Sequence, residues 1–172
     1  MLFRSNDWIL AGSIYEKKVL FKRIRINYDF SRDFIQNSSV MVYFEDSAQE
    51  INQAKSIIDR LISGIPLLIQ ICGKDSEKYF DYLLETLSNR IDQKHTMTVW
   101  SYEDKDNISE WLFDFFECAY PDEERFDEWN EYRILVLCEE LFAEEILNAI
   151  KAYLKNSKIG RASCRERVLM PV

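Results

Sequence analysis

Four short apolar runs decide what this chain can fold into. Residues 40–46, 66–72, 96–102 and 132–138 are rich in β-branched, aliphatic and aromatic side chains, and each gives way to a polar turn and then to a stretch of helical periodicity. The first is the clearest: Val40, Met41, Val42, Tyr43 and Phe44 end on Glu45 and Asp46. A continuous apolar run closed by charged residues reads as a buried strand delivering its carboxyl end to a turn. Behind it, Ile51, Ala54, Ile57, Ile58, Leu61 and Ile62 form one helical stripe. Gly64 and Pro66 close that helix. Tyr79, Leu83 and Leu87, then Trp111, Leu112, Phe115, Phe116 and Ala119, then Ile146, Ile150 and Leu154 supply the later stripes.

Alternating strands and helices imply parallel pairing, because parallel strands need long crossovers and helices make them. The expected fold is a three-layer α/β domain. It has a mainly parallel four-stranded sheet, flavodoxin-like or Rossmann-like, with helices on both faces and the strand order 2-1-3-4. Ahead of it, residues 8–15 and 19–28 read as an N-terminal β-hairpin. The second strand alternates Ile24, Ile26 and Tyr28 with Arg23, Arg25 and Asn27, as a half-exposed edge kept polar would. Capping-box patterns at Ser47 to Glu50 and Asn107 to Glu110 mark two helix starts. Pro121, followed by acids, suits the first turn of a further short helix.

The chain ends read differently. Residues 158–168, from Lys158 through Cys164 to Val168, resemble a translated sequencing adapter, and Met1 to Ser5 resemble its counterpart at the other end. The expected unit is therefore a single domain over 6–157, with the hairpin and its connection over 6–39 and the parallel βα core over 40–157. The remainder, 158–172, is expected to be an artefactual tail. The chain has 22 basic and 30 acidic residues, a net charge of −8. Setting aside Arg4 and the tail's Lys158, Arg161, Arg165, Arg167 and Glu166 leaves 17 against 29, or −12. Such a chain repels phosphate backbones, which argues against nucleic acid and for a basic protein partner. Cys72, Cys118 and Cys138 stand far apart in apolar runs. That usage points to buried thiols in a reducing, cytoplasmic compartment rather than to a disulfide framework. No apolar run approaches the ~18 residues of a membrane span.

The strand at 40–46 and the stretch Phe115, Phe116, Glu117, Cys118, Ala119, Tyr120, Pro121, Asp122, Glu123 and Glu124 resemble small uncharacterised bacterial α/β families, over roughly residues 40–140. The resemblance implies the fold and a bacterial origin, and no activity.

Ligands of open α/β sheets meet the carboxyl ends of the strands. Those ends carry Glu45 and Asp46, Gly73 and Asp75, Glu103, Asp104 and Asp106, and Glu139 and Glu140. This acidic rim suits a divalent cation such as magnesium or manganese, since hard cations take carboxylate oxygens. Receiver domains also need an aspartate after the third strand and a lysine after the last. The chain offers Ser101 or Tyr102, and Glu139. Toprim-type nuclease domains resemble it more, with Glu45 and the Asp104, Asp106 pair in matching places. The competing structural reading is that acids complement helix N-termini. Phosphate-binding glycine motifs are absent, His95 is the only histidine, and the cysteines lack zinc-ligand spacing. No catalytic residue emerges.

The most distinctive surface spans residues 120–132. Asp122, Glu123, Glu124, Asp127, Glu128 and Glu131 stand among Tyr120, Phe126, Trp129 and Tyr132. Helical spacing would put Phe126 and Trp129 on one face. Rings supply contact area and acids steer encounter with a basic partner. The plainer reading packs the rings on the sheet and leaves the acids solvated. The expected function is a non-enzymatic acidic protein-binding module, such as an immunity or antitoxin-like inhibitor of a basic toxin. The alternatives are a metal-dependent hydrolase or nuclease using Glu45, Asp46, Asp104 and Asp106, and a regulatory fragment of a longer protein.

Overall fold

The structure, a computed structural model, describes residues 8–24, 35–45, 51–90, 96–100 and 107–164. Strands β1 (Ile9–Ile14) and β2 (Lys17–Arg23) form the hairpin. They are followed by β3 (Ser38–Phe44), α1 (Ile51–Ser63), β4 (Leu68–Gly73), α2 (Ser76–Ser88) and β5 (Met97–Trp100). Helix α3 (Ile108–Phe113) widens into a π-helical turn, Asp114–Cys118. A 3-10 helix (Glu123–Glu128), β6 (Glu131–Leu137) and α4 (Glu140–Cys164) complete the order.

All six strands join one sheet in the order β1-β2-β6-β3-β4-β5, parallel except for β1 against β2. The α/β class holds, but two expectations are corrected. The sheet has six strands rather than four, because β2 pairs in parallel with β6 from Lys18 opposite Glu131 to Arg23 opposite Val136. The supposed edge strand is thus interior. Val19 and Phe21 are fully buried toward one face and Ile24 is buried toward the other.

The order 2-1-3-4 is also wrong. The four βα strands lie as 4-1-2-3, with β6 between β2 and β3. The physical reason is in the strands themselves. Residues Tyr132 to Val136 of β6 are all buried, which an edge position would not allow. The four-residue β5, with Met97 exposed, tolerates an edge far better.

Helices cover both faces through two separate cores. Met41 and Tyr43 of β3 and Tyr132, Ile134 and Val136 of β6 face Trp111, Phe115, Phe116, Ile146 and Ile150. Val40, Val42, Ile69, Ile71 and Leu135 face Ile57, Ile58, Leu61 and Ile62 of α1 and Leu83 of α2. Every residue of β3 is buried, which its central place with β6 and β4 on either side requires.

Several local expectations change. Asn107 precedes α3 without a side-chain cap, so the capping box there does not form, and the box at residues 47–50 lies outside the described residues. The short acidic helix is capped by Asp122, whose Oδ1 accepts from the Glu124 N–H at 3.0 Å, with Pro121 just before it. Gly64 ends α1 by making room: a Cβ there would meet Ile35 Cδ1 at 2.3 Å. Cys72 and Cys138 are buried, but Cys118 is exposed, since the buried stripe runs through Phe115, Phe116 and Ala119 instead. No helix among the described residues is long and apolar enough to cross a membrane.

Candidate functional site

The two candidate regions lie at opposite ends of the parallel strands: the rim at their carboxyl ends, the 120–132 surface where β6 begins. At the rim, the Glu45 N–H donates to Leu137 O at 2.9 Å. The Glu45 carboxylate Oε2 accepts from the Glu139 N–H at 2.7 Å, one residue before α4. A carboxylate so placed supplies an acceptor where a helix start leaves N–H groups free. Arg23 Nε donates to Cys138 O at 2.8 Å beside it. Asp46, Asp104 and Asp106 lie outside the described residues, as does His95. Among the described residues no three His, Cys, Asp or Glu side chains group as metal ligands.

At the other end, the rings form a ladder from core to surface. Tyr132, fully buried, meets Phe115 and Phe116 edge-on with centroids at 5.3 and 5.0 Å. Trp129 stands on Tyr132 at 4.9 Å and is 3% exposed. Phe126 and Tyr120 stand on Trp129 at 5.4 and 6.3 Å and are 45% and 44% exposed. Phe126 and Trp129, expected on one helical face, touch edge-on, but Trp129 follows the helix in extended geometry, and of the two only Phe126 reaches solvent.

The acids divide in the same way. Glu123, Glu124, Asp127 and Glu128 are exposed, and Glu128 accepts from Arg125 at 2.9 Å. Asp122 is spent on its cap. Glu131 turns inward to Arg133, whose Nε donates to its Oε1 at 2.8 Å.

The chain matches no protein-family model, and no curated protein is similar to it. What the surface can do therefore rests on its own chemistry. The sequence did not reveal that the hairpin turn joins it. Tyr15 and Glu16 occupy that turn with φ of 51° and 65°. Tyr15 Oη donates to Glu117 Oε2, Tyr153 Oη donates to Glu117 Oε1 at 3.2 Å, and Tyr120 Oη donates to Glu117 O at 3.0 Å. One residue beyond the turn, the Lys17 ammonium sits over the Trp129 ring at 4.7 Å and over Phe126 at 5.8 Å from the centroids. The sequence signal was the polar pair Glu16-Lys17 between two apolar runs; it marks a turn one residue off the Tyr15-Glu16 turn that forms, and says nothing of what the turn docks against.

A separate cleft of about 290 Å³ opens between α1 and α2, lined by Lys55, Tyr79, Tyr82 and Glu85 among others. Within it Tyr82 Oη donates to Asp59 Oδ1 at 2.7 Å, and this bond to a carboxylate raises the phenol above its ordinary value of 10.0.

Proposed function

We propose that the protein is a non-enzymatic binding module that captures a basic protein partner on the surface formed by Tyr120, Phe126 and the carboxylates of Glu123, Glu124, Asp127 and Glu128. One observation carries the reading. Two half-exposed rings stand on buried rings that hold them in place, and four exposed carboxylates share their short segment. Rings fixed before contact lose little freedom on binding, and a net negative field, acids outnumbering Arg125 and Lys17, steers an oppositely charged partner. An immunity or antitoxin-like inhibitor of a basic toxin in the cytoplasm is the role this chemistry serves best. The chain's excess of acids adds long-range attraction of the same sign.

The test compares two variants of equal charge change. E123Q/E124Q/D127N/E128Q neutralises the surface; E77Q/D81N/E85Q/E110Q neutralises four exposed acids on α2 and α3. Fluorescence anisotropy with a labelled Gly–Lys repeat peptide reads the affinity. The first variant is expected to bind about tenfold more weakly than the second. Equal weakening by both would reduce the effect to overall charge and end the proposal.

A further inference from the structure

The Lys17 ammonium is a cation already seated on the aromatic pair. It lies 4.7 Å from the Trp129 centroid and 5.8 Å from the Phe126 centroid, and no carboxylate among the described residues pairs with it. Ring faces attract ammonium and guanidinium groups through their quadrupole, best of all tryptophan's. Trp129 is buried except for a few per cent of its surface, and Phe126 is open on the solvent side. Glu123, Glu124, Asp127 and Glu128, on the same six-residue helix as Phe126, are exposed.

The geometry points to a cation slot on Trp129 and Phe126 that Lys17 fills in the free protein and that a lysine or arginine of the basic partner takes over on binding. This rests on the proposed binding surface and specifies what it recognises: a long cationic side chain, not basic surface in general. The exchange is chemically balanced, one cation replacing another on the same rings. The displaced Lys17 is one residue from a hairpin turn and on a half-exposed position, so it has solvent to move into. Lys17 also sets a threshold. A partner must offer its cation together with contacts to the carboxylates to compete with a lysine that is always present.

Removing Lys17 is expected to strengthen binding of a basic ligand, through the vacated rings. Lys18, the exposed neighbour, supplies the control, because K18Q changes the charge equally and leaves the slot filled. With the labelled Gly–Lys repeat peptide, K17Q is expected to bind about two- to fivefold more tightly than K18Q, and the gap is expected to persist as salt rises. K17R keeps a cation on the rings and is expected to bind no more tightly than the natural protein. In the unmutated protein, the Lys17 side-chain methylene protons should show upfield ring-current shifts in NMR that vanish as peptide is added.

Equal gains for K17Q and K18Q would overturn the slot in favour of net charge. Weaker binding by K17Q would overturn it in favour of Lys17 as a prop for the rings, as would ring-current shifts that survive saturation with peptide. In all these cases the binding surface stands if its four neutralised carboxylates still weaken capture selectively. It falls, independently, if they do not.

Discussion

Two glycines that look alike in the sequence do different work. Gly73 ends β4 with φ of +114°, and a Cβ there would meet Phe44 O at 2.1 Å, a backbone atom of the neighbouring strand. Neither the left-handed backbone nor a main-chain carbonyl can yield cheaply. Gly73→Ala is therefore expected to cost about 2–4 kcal/mol in urea unfolding. At Gly64 the obstacle is the Ile35 side chain, Cδ1 at 2.3 Å and Cγ1 at 2.4 Å, and φ is not left-handed. Relief requires the buried Ile35 to repack, but no strand backbone has to move and no left-handed φ is strained, so Gly64→Ala should still cost less than Gly73→Ala; the reverse ranking would show that the Ile35 site is the less yielding of the two. Tyr82 makes a pH-dependent contribution. Its phenol is raised by donating to Asp59, so the folded state favours the protonated form. The stability it adds is complete below pH 10.0, the ordinary phenol value, and is lost as pH climbs through the higher folded value. Tyr82→Phe should lower stability by about 1 kcal/mol at neutral pH, since the pair is partly exposed. The gap should close at strongly alkaline pH, as thermal melts across that range would record.

At the level of elements, strands were legible and their partners only in part: the hairpin and the pairing of β3 with β4 form as expected, while the place of β6 between β2 and β3 was not foreseen. Residues 40–44 and, Arg133 apart, 132–138 announce buried strands because they are apolar on both faces, and both appear as such. The choice of neighbours depends on which strand most needs shelter, a comparison across the sheet that no local pattern contains. The alternation of Arg23 with Ile24 resembled an edge, yet Arg23 is half-buried with its Nε on Cys138 O, a partner 115 residues away. Ring placement was half legible for a related reason: three-residue spacing brought Phe126 onto Trp129 but did not say which ring would face inward. The hairpin turn is the element whose strain is most open to test. Tyr15 and Glu16 both take positive φ, a geometry that two-residue hairpins usually give to Asn and Gly. Tyr15 is held there by its bond to Glu117, while the described contacts give Glu16 no comparable anchor. Glu16→Gly should therefore stabilise the protein by about 0.5–1 kcal/mol. Glu117→Gln should instead speed amide exchange at residues 15–17, because it weakens the acceptor shared by Tyr15 and Tyr153. A destabilising Glu16→Gly would show that the turn is anchored through Glu16 as well.

For the whole molecule, the decisive fact is that the last strand in sequence lies near the middle of the sheet. β6 pairs with β2, Lys18 opposite Glu131, and with β3, Ser38 opposite Glu131, so both pairings span most of the chain. Until residues 131–137 are in place, β2 and β3 each present an open edge, and the sheet consists of a hairpin and a β3-β4-β5 unit with no ladder between them. The core beneath α3 and α4 has the same dependence, because Tyr132, Ile134 and Val136 form its floor. Long-range pairing of this kind makes folding slow and leaves strand edges open to other chains meanwhile. The hairpin and the β3-β4-β5 unit are joined by β6 and by α4, which packs on β1 and β2 and sets Phe142 against Tyr43 of β3, so they should not unfold separately, since each loses a face when the other leaves. Ile134→Ala, which opens a cavity in that floor, is expected to cost about 2–5 kcal/mol and to shift hydrogen exchange in β2, β3 and β4 together. A chain ending at Asn130 is expected to lack a cooperative melt and to self-associate through the exposed edges of β2 and β3. A sharp two-state transition in that fragment, or exchange in Ile134→Ala that rises in β6 and leaves β2 protected, would mean that the sheet is assembled from independent parts.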